Sequence, residues 1–321
     1  MRVFVAGGTG AIGKRLVPLL TTEGHEVFAT TRSPEKASAL RAAGAVPVVV
    51  DALDRVAVRQ AVLEAEPDVV VHQLTALSGG GSLRRFDQQF AATNRLRTEG
   101  TDHLLEAAVA AGARRFVAQS YAGWPYAREG GPVKSEDTPF DPRPPREMRR
   151  TLDAIRHLEG AVLDVPDLDG VVLRYGTLYG PGTAIAEDGG LVHLVRRSRL
   201  PVLGSGAGVW SFVHVDDAAS ATALAIEPGA ATGVFNVVDD DPAPVREWLP
   251  GLAAAVGAEP PRRVPAVVGR LLTGEVGVSL MTRVRGASNA RAKDELGWRP
   301  RHESWRAGFR SGLGLEVVAG R

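Results

Sequence analysis

The chain has 321 residues, 44% of them hydrophobic and 23% charged, with a formal net charge of +1. These proportions fit a globular α/β enzyme with a substantial core, and they give no electrostatic case for nucleic acid or an anionic membrane. The absence of cysteine excludes disulfides, thiolate metal sites and cysteine nucleophiles, and no apolar run reaches the roughly 18 residues of a membrane span.

In chain order, short apolar runs alternate with amphipathic stretches, the rhythm of a doubly wound parallel sheet. Strands are predicted at residues 3–6, 26–30, 46–50, 69–73, 115–119 and 170–175, with a last sheet strand at 234–238. A first strand that begins at once leaves no room for a signal peptide, so a cytoplasmic location is expected. Pro18 is expected to cost the first helix a hydrogen bond or to kink it. A helix is predicted over 98–111, capped by Gly112. The proline-rich stretch 125–145 reads as a surface loop over the carboxyl ends of the strands, where lids are built. Beyond residue 175 the elements become shorter and mixed. The expected organisation is a dinucleotide-binding domain over 1–175 and a smaller substrate lobe over 176–321, with 212–240 returning to the sheet.

The first turn carries the strongest signal. Gly7, Thr9, Gly10, Ala11, Ile12 and Gly13 follow a strand and open a helix, the setting in which a glycine pattern binds a dinucleotide pyrophosphate. The helix N-terminus offers free N–H groups and the positive end of its dipole to the phosphates. At the end of the second strand a cofactor without a 2′-phosphate calls for an acid, and Ala29-Thr30-Thr31-Arg32-Ser33 has none. Arg32 can pair with a 2′-phosphate, assisted by Ser33 or Lys36, so NADP is expected rather than NAD.

With these features the chain resembles an extended short-chain dehydrogenase/reductase of the NAD-dependent epimerase/dehydratase type. The resemblance rests on the glycine run, Asp51-Ala52-Leu53-Asp54, Val71-His72-Gln73-Leu74-Thr75-Ala76, Leu173-Arg174-Tyr175-Gly176-Thr177-Leu178-Tyr179-Gly180-Pro181-Gly182, Phe212-Val213-His214-Val215-Asp216-Asp217 and Leu296-Gly297-Trp298-Arg299-Pro300. It implies that Asp51 and Ala52 meet the adenine and that Leu74, Thr75 and Ala76 line the ribose. Gln119, Tyr175, Gly176 and Leu178 would be further cofactor contacts, with Gly176 to Leu178 near the nicotinamide. It also implies a homodimer through the fourth and fifth helices, a face made polar here by Arg149, Arg150 and Arg156.

The family's redox pair, Tyr-x-x-x-Lys, puts a phenol and the cation that lowers its pKa on one helical face. It is absent here: four positions after Tyr121, Tyr126, Tyr175 and Tyr179 stand Pro125, Gly130, Tyr179 and Thr183. Alignment puts Thr151 where the tyrosine belongs and Ile155 where the lysine belongs. Tyr121 falls at the family's catalytic serine/threonine, directly after Ser120. The expected catalytic group is therefore Tyr121, as acid or oxygen-binding residue, with Ser120 and Thr151 as further candidates. Asn94 resembles the family's helix-borne asparagine, but the Gly-Thr that follows arrives late, at Gly100-Thr101. Trp124, Tyr126, His193 and Trp210 are candidate substrate contacts, and His72 and His214 read as structural. No acid–histidine pair has metal-ligand spacing, so no metal is expected. The leading reading is an NADP(H)-dependent oxidoreductase of a small organic substrate. Alternatives are an epimerase- or dehydratase-like enzyme that keeps its nicotinamide bound, and a non-catalytic NADP-binding sensor.

Overall fold

A computed structural model describes residues 1–77 and 82–314. Its centre is a seven-stranded sheet of β1 (Arg2–Ala6), β2 (Glu26–Thr31), β3 (Val46–Val49), β4 (Val69–His72), β5 (Arg115–Tyr121), β6 (Asp169–Tyr175) and β7 (Gly233–Val237), in the order β7-β6-β5-β4-β1-β2-β3. Every pairing is parallel. The order reverses between β1 and β4, and the crevice outside their carboxyl ends is where such sheets bind ligands. A sheet covered on both faces needs apolar residues at successive positions, and Val69, Val70 and Val71 are all buried. Each predicted strand is present within one or two residues.

On one face α1 (Gly13–Thr22) lies beside α6 (Val215–Ile226), and α2 (Ala37–Ala42) adds Leu40, over Val3, Val5, Val71, Val117 and Leu173. On the other, α3 (Arg55–Ala65), α4 (Thr101–Ala110) and α5 (Arg149–Leu163) cover Phe4, Val70, Phe116 and Val172. The helix over Pro18 runs unbroken from Gly13 to Thr22. A second core gathers Trp248, Trp305, Phe212, Phe309 and Tyr179 from the C-terminal half. No helix among the described residues is long and apolar enough to cross a membrane.

Two expectations are corrected. Helix α4 starts at Thr101 rather than Thr98, because Leu96–Gly100 form a π turn ahead of it. The stretch 125–145 is not a free lid. Its Val133–Lys134 pairs with Gly286–Ala287, Arg128 bridges Asp141 at 2.7 Å, and the Arg285 guanidinium donates to the Arg128 carbonyl. Tyr126, Glu136 and Asp141 are buried within it.

Candidate active site

The glycine turn closes tightly against the end of β4. A Cβ on Gly7, where φ is +99°, would lie 2.7 Å from the Gln73 carbonyl oxygen, and one on Gly13 would lie 2.3 Å from the Gly7 oxygen. The turn is pinned to β2 by the Gly7 N–H on the Thr30 hydroxyl and the Gly8 N–H on the Thr30 carbonyl. Gly10 faces outward, exposed, so the backbone can be approached closely there. This cradle fits a dinucleotide pyrophosphate. Beyond β2, Arg32 is exposed and has no ion pair among the described residues. Asp51 is exposed beside buried Ala52, with one carboxylate oxygen taken by the Leu53 N–H. Leu74, Thr75 and Ala76 follow β4 half-buried, with the Ala76 N–H held by the Thr93 hydroxyl.

Across the crevice, Tyr121 ends β5, half-buried, with its hydroxyl 3.0 Å from that of Thr177. Burial pushes this phenol above its usual range, while the Thr177 hydrogen bond and the charge of Arg97 pull it partly back. The group therefore keeps its proton at neutral pH. A small cavity joins Tyr121, Gly123, Trp124 and Thr177 to Trp210 and Leu280 of the C-terminal half. Trp124 makes a T-shaped contact with Phe86, while Trp210 donates to the Leu280 carbonyl and packs against Trp248.

Adjacent strand residues face opposite sides of a sheet, and this separates Ser120 from Tyr121. Ser120 donates to Glu159 at 2.6 Å, and Glu159 takes both ends of the Arg174 guanidinium at 2.9 and 2.6 Å. Ser120 thus serves a buried network rather than the crevice. Thr151 is corrected similarly: it is sealed from solvent, its hydroxyl donates to Asp87 at 2.7 Å, and it accepts from Asn94. Tyr126, expected at the substrate, is buried under Arg174 and donates to Asn236. His193 points to solvent, because its helix turns Val192 and Val195 inward. The Tyr175 hydroxyl faces α6, 2.6 Å from that of Thr222 and 3.0 Å from Gln73, so only its backbone borders the crevice. Gly176 packs at the β6 end, where a Cβ would meet the Ser211 carbonyl at 2.8 Å; Gln119 and Leu178 are half-buried nearby.

Comparison with known proteins places this geometry. A model of the NAD dependent epimerase/dehydratase family matches residues 3–237. The chain belongs to that family. A Streptomyces "3-diazoavenalumate denitrifying reductase" is 50% identical over 96% of this chain and 99% of the relative. A 2-alkyl-3-oxoalkanoate reductase of Stenotrophomonas maltophilia is 31% identical, over 80% of this chain and 76% of the relative. Among solved structures, the UDP-glucose 4-epimerase of Thermus thermophilus in complex with NAD superposes with a TM-score of 0.71 at 27% identity, covering 98% of both chains. This member of the epimerase/dehydratase family is an enzyme with a nicotinamide dinucleotide cofactor.

Within that family frame, the helix that should carry the Tyr–Lys pair is α5, with Thr151 and Ile155 both buried. The cation near Tyr121 comes instead from Arg97 in the π turn, a residue that the sequence did not single out. The turn is tied down by His72. The Leu74 N–H donates to its Nδ1, so Nε2 carries the hydrogen, 3.2 Å from the Leu96 carbonyl. Burial, the dominant cause, and the charge of Arg97 lower the His72 pKa to about 4, with the Leu96 bond opposing. The unfolded chain takes up this proton near the ordinary value of 6.5 and the fold does not. Stability is therefore full above about 6.5 and falls by up to ~3 kcal/mol as pH drops towards 4. Urea titrations of wild type and His72→Gln should show this acid loss only in wild type. Asp239, raised to about 8 by burial, works in the opposite direction in both proteins and cancels. Equal acid slopes would disprove the role given to His72. The sequence expectation of a structural histidine here agrees with these contacts. It does so at His214 too, which meets the Gly312 carbonyl and the Asp216 N–H. Although His214, Asp217 and His302 lie close enough to share an ion, Asp217 is already engaged by the Arg301 and His302 N–H groups and the His302 ring.

Proposed function

We propose that the protein is an NADP(H)-dependent reductase that replaces the diazo group of a small aromatic compound with hydrogen, releasing dinitrogen. The observation that carries this reading is Tyr121, a single protonated phenol at the β5 end in a site with no Tyr–Lys pair. Carbonyl reduction needs a proton delivered to the new alkoxide. Loss of dinitrogen does not: a C–H bond forms, the C–N bond breaks, and its electron pair leaves with the nitrogen. The 50% identical relative is named for such a denitrifying reduction.

When bound, the reduced nicotinamide supplies the hydride. The glycine turn holds the pyrophosphate and Arg32 pairs with the 2′-phosphate. Tyr121, oriented by Thr177, donates a hydrogen bond to an oxygen of the substrate. On a ring where that oxygen is conjugated with the diazo group, the bond withdraws electrons and makes the site of attack more electrophilic. Trp124 and Trp210 flank the flat body.

Purified protein given NADPH and an aryl diazo compound should release dinitrogen as the reduced cofactor disappears. NADPH should be preferred to NADH by about tenfold or more, and Arg32→Ala should remove most of that preference. A preference for NADH would refute the role of Arg32. Turnover without loss of NADPH would instead favour a retained nicotinamide and non-redox chemistry.

A further inference from the structure

Arg97, the buried cation whose charge is felt by Tyr121, has no assigned ligand. It is 9% exposed, its Nη1 is out of reach of water without a hydrogen-bond partner, and no ion pair holds it among the described residues. Burying an unpaired cation is costly, and proteins tolerate it where a ligand supplies the missing charge. Its surroundings offer no free charge of that kind. From β4 it meets neutral His72, and from β5 the protonated Tyr121. From α5 it feels Glu159, whose two oxygens are both taken by Arg174. Burial accordingly lowers the Arg97 pKa to about 10, which still leaves it charged at neutral pH.

The contacts that shape the phosphate cradle, to Thr30 and to the Gln73 backbone, do not include Arg97. The π turn matters too. It interrupts the regular helix at Leu96–Gly100, and His72 fixes it there by the Leu96 carbonyl, at the end of β4. Functional sites are where such turns are frequently found.

We propose that Arg97 binds an anionic oxygen of the substrate, a carboxylate or a phenolate, beside Tyr121. The substrate class is then a flat aromatic compound bearing one anionic oxygen, with its ring between Trp124 and Trp210. This rests on the reading of the crevice as a reductase site, and it is tested without turnover.

Calorimetric titration of the NADPH-loaded protein with para-anisate, para-nitrophenolate and neutral para-anisamide separates the two sources of charge. At least one anion should bind about tenfold tighter than the amide, and the preferred anion identifies the group that Arg97 holds. Arg97→Met should weaken that anion about 10- to 100-fold, leaving the amide and NADPH within about twofold; Arg97→Lys should retain part of the affinity. Undiminished anion binding by Arg97→Met, or a wild type that binds the amide as tightly as both anions, would overturn the proposal. If NADPH itself fails to bind, the cofactor reading fails, and the same titrations on the cofactor-free protein still decide the role of Arg97.

Discussion

Replacing Tyr121 with phenylalanine is expected to lower kcat about 100-fold and to leave NADPH affinity and stability close to wild type. Removing one well-placed donor from an electrostatic site costs about 10²–10³ in kcat. The side chain is half-buried and its one hydroxyl partner, Thr177, is half-buried too, so little folding energy rides on the bond. Thr177→Ala should act in the same direction but more weakly, near tenfold, because it removes the group that aims the phenol rather than the phenol itself. Steady-state kinetics with both variants tests this. Burial raises the phenol pKa, so the rate should not rise through neutral pH as it would for a tyrosine that must ionise. Full turnover by Tyr121→Phe would remove the residue on which the mechanism stands.

The largest stability effect is expected at Glu159. It is 4% exposed, and its carboxylate is shared by the Arg174 guanidinium and the Ser120 hydroxyl. Burial alone would depress the Arg174 pKa, yet the Glu159 hydrogen bonds raise it overall, so the guanidinium is held charged in the fold. Glu159→Gln keeps the shape and deletes the charge, leaving buried Arg174 uncompensated. The expected loss is about 3–5 kcal/mol in urea unfolding. The double variant Glu159→Leu/Arg174→Met should lose less than the single one, because no orphaned charge remains. A single variant as stable as wild type would show that the pair carries no such burden.

How far the sequence could be read depended on whether the deciding contacts were local. The strands were legible because consecutive apolar residues can only be covered on both faces. The glycine turn was legible because its setting between β1 and α1 is local as well. The start of α4 was misplaced because the π turn is held from outside, by His72 on β4. Nothing in the residues of 96–100 announces it. Arg97 was hidden for the same reason, since one arginine in a polar stretch reads as surface. The loop 125–145 looked like a lid from its prolines, and long-range partners, Arg285 and the strand at Gly286–Ala287, pin it. Ser120 and Tyr121 are neighbours in a strand, and the pleat alone keeps both from facing the crevice. The position of Thr151 in the chain says nothing of its long-range partners, and Asp87 and Asn94 claim its hydroxyl.

The fold and cradle place the protein in its family, and the claim beyond that is the direct delivery of hydride to the carbon that loses dinitrogen. That claim is tested most directly by turnover with NADPH carrying deuterium at the transferable position. The expected result is a product with deuterium on the former diazo carbon, one dinitrogen released for each cofactor oxidised. Deuterium absent from that carbon, or product formed with the label still on the cofactor, would contradict it.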